Sequence, residues 1–523
     1  MAGTDIDLRG EPSERPVGGG RASRVRRLIH GWSANLVQIF LGLVQQLLLI
    51  PVFLHFWTSD VLAAWLAISA AGVLTVMADA GLQLRAINRF LAFKSLADCD
   101  GRTASFYSGI LKIYIALVIA LAVLLTAATV ALPPSRVLGF EAVPTFDSAW
   151  QAMTLGTLLA LPANLVSGLY RTRDRYSRAV WLQNLAALVG QVLQLIAVAV
   201  FGSLLAVALA LVSTQILYAA FLVLFDAPRL FPHLRRIHRR WSWRWSAGQL
   251  RSAFAFALVN FSELALLNAP VLLVSAFVTD RVAVAQWGLT RVVAGLVRGV
   301  SWQAALPIAA ELGHDYAIGQ KDKLRQTYAF GSALVVVLAS LMVSGLLPFW
   351  SEFFSLWTRG NIPYDGPLAI TLLAGYAVIS PSLLALAFAS HSNRTDLLVR
   401  TKGLQLLVFA VLSFALIPTL GPIGAALAVV ASDGAVQFGL LTFIIISQTL
   451  RHPLRHLAFL LASTAIIVLL GWTLGAIINW ALPGDGILLF LARVAVWLLV
   501  VCGAAGVLLL RPIRGRLVAI VPM

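Results

Sequence analysis

Glu263, Arg291, Arg298 and Asp433 each interrupt a long apolar run of the sequence. A charge in such a run is costly unless it meets a partner or a water-filled space, so each marks a candidate site. Glu263 stands eleven residues into the run 252–277, and Arg291 nine into the run 282–309. As helices these depths are about 16 and 14 Å, so antiparallel neighbours would bring the two opposite charges to one level. Arg298 follows Arg291 by seven residues, close to two turns, and shares its face; Asn260 precedes Glu263 by three and lies beside it. The group reads either as a polar cavity face or as a Glu263–Arg291 pair that fixes helix register, with Arg298 left over. Asp433, in Ala431-Ser432-Asp433-Gly434, could take up and release a proton as a coupling group, or serve as a neutral, hydrogen-bonded structural residue.

Asp79, ahead of Arg85 and Arg89, is a candidate gate or ion pair at the end of its apolar run. Lys112 and Arg493 lie near the ends of theirs and are expected to snorkel toward headgroups. Asn35, Gln38, Gln45 and Gln46 make the first run unusually polar, as helix-gluing amides or as sugar contacts. Enzyme signals are poor: there is no Gly-rich phosphate loop, no Gly-x-Ser-x-Gly and no His-Glu-x-x-His. Asp98-Cys99-Asp100 spells a short acidic motif that arises easily by chance. Cys99 and Cys502 lie far apart without metal-ligand spacing. Neither an enzyme, a cofactor nor a metal site is expected.

The elements that must carry these residues follow from composition. The chain has 523 residues, 60% apolar and only 12% charged, against roughly 25% charged in soluble domains. There is too little polar surface to solvate a globular unit of this length, and far too much to bury for disorder. A hydrocarbon core needs about 20 apolar residues per helix, and fourteen stretches satisfy it, from 31–54 and 61–83 through 457–479 and 487–510. The runs are continuous rather than alternating, which excludes a β-barrel. The fold class is therefore an all-α polytopic membrane protein of about 14 transmembrane helices.

The net charge of +17 would point to nucleic acid in a soluble chain. Here 32 of the 39 Lys and Arg, Arg394, Arg400 and Lys402 among them, fall in loops on the side of the N-terminus, and three in the opposite loops. Such alternation is the positive-inside pattern, so both termini are expected in the cytoplasm and no nucleic acid is expected as partner. Residues 1–30 read as a disordered tail and 511–523 as a second cytoplasmic tail. The connector 226–251, with Arg239-Arg240-Trp241-Ser242-Trp243-Arg244-Trp245, reads as an interfacial segment facing anionic lipid. It divides 31–225 from 252–447, with 448–510 as two additional helices. A weak repeat supports the division: Pro51…Thr58-Ser59-Asp60…Trp65 corresponds to Pro270…Thr279-Asp280…Trp287. Gly471-xxx-Gly475 reads as helix packing.

The opening hundred residues also carry a family likeness. Gln46-Leu-Leu-Leu-Ile-Pro51, Trp65-Leu-Ala-Ile-Ser69 and Asp79-Ala-Gly81-Leu82 resemble the start of polysaccharide flippases of the O-antigen type, in the superfamily of multidrug, oligosaccharidyl-lipid and polysaccharide exporters. The resemblance implies two pseudo-symmetric six-helix lobes around a central cavity, with two extra C-terminal helices alongside. It implies an undecaprenyl-pyrophosphate-linked oligosaccharide, moved from the cytoplasmic to the periplasmic leaflet of the bacterial inner membrane, with membrane lipid and a polysaccharide polymerase as further partners. Arg291 and Arg298 would then pair with pyrophosphate. The alternatives are a cation-coupled multidrug antiporter or a peptidoglycan-precursor flippase on the same fold, and a membrane polysaccharide polymerase. The polymerase would need a substantial periplasmic loop, whereas 132–147 and 350–365 are short.

Overall fold

The structure is a computed structural model, and it describes residues 37–508 apart from 39, 43, 46, 95–99, 174, 236–238 and 485. The two expected tails, Asn35, Gln46 and the Asp98-Cys99 step therefore lie largely or wholly outside the described residues. Everything described is helix or connecting turn, because apolar backbone in lipid must satisfy its polar groups within the segment.

The helices, in chain order, are α1 (Phe40–Phe56), α2 (Ser59–Asp79), α3 (Arg102–Ala131), α4 (Phe146–Thr172), α5 (Tyr176–Phe201) and α6 (Leu204–Leu230). Then come α7 (Trp243–Phe277), α8 (Arg281–Ala317), α9 (Lys321–Thr358), α10 (Gly366–Ile379 continued by Pro381–His391), α11 (Thr395–Leu420), α12 (Pro422–Thr449), α13 (Pro453–Ala481) and α14 (Ile487–Leu508). Among the described residues twelve are long and apolar enough to cross a membrane; α10, bent by 49°, makes a thirteenth, and α1 is a shorter apolar helix. Helix α7 begins at Trp243, nine residues before the expected 252, so the connector ends in helix rather than loop.

The same irregularities recur six helices apart. Helix α4 breaks at Leu161-Pro162 and α10 at Ser380-Pro381, where proline removes a donor and crowds the preceding turn. Helices α6 and α12 both pass into wider π-turns, over Phe221–Asp226 and Asp433–Thr442. Helices α2 and α8 meet where Gly288 faces Leu66, beside the buried Trp287 and Trp65 of the repeat.

The apolar interior is divided. One large core draws on both halves, from Phe53, Trp57 and Trp65 to Trp287, Trp350 and Trp357. Two smaller cores toward the Arg-rich loops stay separate, one around Phe90, Tyr114 and Tyr170 and the other around Leu312, Tyr328 and Phe388. Large apolar side chains such as Val123, Val130, Leu470 and Leu488 remain exposed on the outside, as lipid contact requires.

Helices α13 and α14 dock on α9 through the small-residue pair. A Cβ on Gly471 would lie 2.5 Å from Ser344, and one on Gly475 2.3 Å from the Pro348 ring. Trp497 of α14 seals the contact and donates from Nε1 to the Gly471 carbonyl at 3.0 Å. Without a hydrophobic drive between helices in lipid, this close approach supplies the association. Gly475→Leu is expected to overpack the contact and destabilise the folded protein by about 1–3 kcal/mol, read as a lowered unfolding temperature in detergent.

Candidate functional site

The tight turn at Val278-Thr279-Asp280, where Asp280 caps α8 by accepting from Val282 N at 2.9 Å, sets α7 and α8 antiparallel. Counted from Thr279, Leu267 and Arg291 each stand twelve residues away, and they meet. Arg291 Nη1 donates to the Leu267 carbonyl at 2.5 Å and to Asn268 Oδ1 at 3.1 Å. The expected Glu263–Arg291 pair does not form, because Glu263 is sixteen residues from that turn and Arg291 only twelve. Arg298, expected to be surplus, is instead the partner of Glu263, Nη2 to Oε2 at 2.6 Å, and of Asp433, Nη1 to Oδ2 at 2.8 Å.

Lys402 of α11 completes the group. Read in sequence as a loop cation, it is 1% exposed and pairs with Glu263 Oε1. It also donates to Gln437 and, at 2.9 Å, to Gln405 Oε1. Gln405 Nε2 in turn donates to Asp433, and Gln437 Nε2 to Ser382 Oγ at 2.8 Å. Asp433 and Gln437, four residues apart in the π-turns of α12, lie on one face. Two carboxylates and two cations thus balance, with Lys402 and Asp433 further bonded to glutamines and Glu263 at the partly exposed edge of the group. That is the condition under which buried ion pairs are tolerated. Asp433 is wholly buried and hydrogen-bonded at both oxygens. Asn260 is exposed and stands apart from the network.

A separate cavity of about 630 Å³ lies mainly in the first half. Its polar lining is amide and hydroxyl: Gln45 of α1, Asn164 of α4, Gln183, Gln191 and Gln194 of α5, and Gln215 of α6, with Ser69, Thr157, Thr214 and Tyr218. Arg291 reaches it from α8 and is the one charged side chain among the described residues that line it. Two polar atoms of this wall, Gln194 Oε1 and Arg291 Nε, are buried with no hydrogen-bond partner. Buried polar atoms are normally satisfied, so these two mark lining side chains that are incompletely bonded. The sequence had grouped Arg291 with Arg298 and Glu263; the fold assigns them to different places.

Asp79 makes no pair with Arg85 or Arg89 among the described residues. It accepts from Tyr114 Oη and, at 3.2 Å, from the backbone N of Gln83, so it caps the helix Leu82–Lys94. Gly81 has φ +75°, and a Cβ there would lie 2.4 Å from the Ala253 carbonyl, so only glycine fits beneath α7. Arg85 Nε donates to Gln249 of α7 at 3.3 Å. Nor do the two expected snorkelling cations reach outward. Lys112 donates to the Arg239 carbonyl at 2.7 Å. Arg493 is buried, paired with Glu352 at 2.5 Å and bonded to the Leu482 and Gly484 carbonyls. Trp245 of the connector, expected at headgroup level, packs inward on Phe106, while Trp243 stays exposed.

The chain shares its fold with solved membrane transporters. It is similar to the lipid II flippase MurJ in an inward closed conformation, with a TM-score of 0.69 and 12% identity over 91% of this chain and 97% of that one. An inward-facing multidrug resistance MATE family transporter matches with a TM-score of 0.60 and 14% identity, covering 81% of this chain and 98% of the other. The eukaryotic MATE transporter AtDTX14 gives 0.56 and 13%, covering 86% and 99%. No family model matches the chain, and no curated protein matches it in sequence.

Proposed function

We propose that this protein is a flippase for an undecaprenyl-pyrophosphate-linked oligosaccharide, carrying it from the cytoplasmic to the periplasmic leaflet of a bacterial inner membrane. The observation that carries the reading is the cavity: six amides in an otherwise largely apolar wall, crossed by one arginine that has no carboxylate partner among the described residues. Sugar hydroxyls both donate and accept, and carboxamides answer both. A sugar head crossing bare hydrocarbon would lose those bonds at several kcal/mol per group, whereas an amide-lined, wet passage replaces them. Arg291 supplies the charge-assisted bond for a pyrophosphate, and the polyprenyl tail can stay in lipid.

A cation-coupled drug antiporter would call for a carboxylate facing its ligand. Glu263 and Asp433 are instead committed to Arg298 and Lys402, which favours the anionic substrate. A peptidoglycan-precursor flippase has the same diphosphate-sugar chemistry and is the second reading, favoured by the likeness to the lipid II flippase fold. A strain depleted of this protein separates the readings by which lipid-linked intermediate accumulates. The first expects complete oligosaccharide repeat units stranded on the cytoplasmic leaflet, and the second expects peptidoglycan precursor there. A polymerase would leave single repeat units already on the periplasmic side, and that result would overturn both.

A further inference from the structure

A second hollow, of about 470 Å³, lies between the helix Leu82–Lys94, the start of α3 and the connector. Arg89, Arg102, Ser105, Arg239, Trp245 and Gln249 line it. Arg239 lies over the Trp245 ring at 4.1 Å, and its carbonyl is tied by Lys112. The indole cannot shift, since it packs edge-on against Phe106 and fills the space where a Cβ on Gly109 would stand 2.6 Å away. Arg85 stands behind Gln249. Against these cations the hollow holds Asp100, already paired with Arg102 at 2.9 Å. Among the described residues neither Arg89 nor Arg239 has an acidic partner.

Cations left in open loops would spread apart in water to reduce their repulsion. Here the Trp245 ring holds the guanidinium of Arg239 and Lys112 fixes its backbone carbonyl, in a hollow that Arg89 also lines. The α3 helix begins in this hollow at Gly101, where Asp100 Oδ1 accepts from Arg102 N at 3.1 Å and so occupies the first N–H of the helix. Trp241 and Trp243 are exposed on the same connector, the residues expected at the headgroup level of a bilayer.

We propose that this hollow binds the phosphate of an anionic lipid headgroup, at a site distinct from the central cavity. The shared chemistry is a phosphate ester or diphosphate, supplied either by bulk anionic phospholipid or by a diphosphate-bearing polyprenyl lipid. The proposal stands independently of which lipid is transported, because its readout is binding.

The test uses the full chain in phosphatidylcholine nanodiscs, titrated with fluorescent short-chain phosphatidylglycerol and, separately, with farnesyl diphosphate. Ser105→Glu puts a negative charge at a partly exposed position of the hollow without deleting a packing group. It is expected to weaken binding of one or both probes at least tenfold, and Arg89→Gln to weaken it severalfold. Excess inorganic phosphate should compete. Loss confined to phosphatidylglycerol assigns the site to bulk lipid, loss confined to farnesyl diphosphate assigns it to the polyprenyl source, and loss of both leaves it selective for phosphate alone. The Arg291→Gln variant controls for probe taken up by the central cavity and should keep the Ser105→Glu effect. Wild-type affinity for both probes in Ser105→Glu would overturn the proposal.

Discussion

Arg298→Ala is expected to destabilise the folded protein by about 3–5 kcal/mol, because breaking a buried pair leaves the opposite charge uncompensated. The loss is larger than for a surface pair, since Arg298 holds two carboxylates at once, Glu263 at 2.6 Å and Asp433 at 2.8 Å. After the substitution Lys402 alone faces both, and Asp433 keeps only Gln405. The mechanism makes a sharper claim than the single variant. Arg298→Met combined with Asp433→Asn removes one charge of each sign and leaves the Glu263–Lys402 pair intact. That double variant should recover much of the lost stability, with an interaction energy of about 1–3 kcal/mol in the cycle. Unfolding in detergent for the wild type, both single variants and the double measures it. Additive losses would show that charge balance is not what holds the network.

How the network was hidden in the sequence is instructive. Glu263, Arg298 and Asp433 stand out because charge in an apolar run is rare, and each is in the network. Their partners do not follow from depth within the apolar runs, because the run ends do not coincide with the turn that sets the helix register. Counting outward from the Thr279 turn pairs Arg291 with Leu267 and leaves Arg298 within a turn of Glu263, a gap that a long guanidinium spans. Lys402 looked like the last cation of the loop that begins at Arg394. The signal that could have retrieved it is Gln405, three residues on and on the same helical face, inside a run that is otherwise apolar. The π-turns of α12 left no trace in hydropathy, since widening a helix changes hydrogen-bond register and not composition. The cavity was only partly legible. Gln45 was flagged among the polar residues of the first helix, whereas the amides of α5 and α6 were diluted among apolar neighbours. The membrane-spanning helices are legible because in lipid the length and continuity of apolar runs leave one solution, whereas the short helix Leu82–Lys94 has no apolar run to mark it. The two proline breaks and the Gly471–Gly475 contact follow from single residues. In contrast, the inward turn of Trp245 depends on Gly109 and Phe106, residues more than a hundred positions away.

Arg291→Gln should give the opposite signature: protein made and folded at near wild-type level, with transport reduced at least tenfold. Arg291 has no acidic partner among the described residues, so its removal strands no buried anion, and glutamine keeps a neutral polar group at the cavity wall. What disappears is the one cation in a cavity whose other polar lining groups are neutral amides and hydroxyls. A pyrophosphate entering there would lose its charge-assisted bond, worth about 1.5–3 kcal/mol for a hydrogen bond to a charged group, or roughly ten- to a hundredfold in occupancy. Arg291→Lys keeps the charge but not the planar fork, so it should fall between the two. The measurement is lipid-linked oligosaccharide on each leaflet in cells expressing the variant, normalised to membrane-inserted protein. Folded protein with full transport in Arg291→Gln would move the substrate's charged group out of this cavity. A matched loss of folded protein would instead make Arg291 a structural residue like Arg298. The contrast between the two arginines, seven residues apart on one helix, therefore separates holding the second half together from handling the substrate.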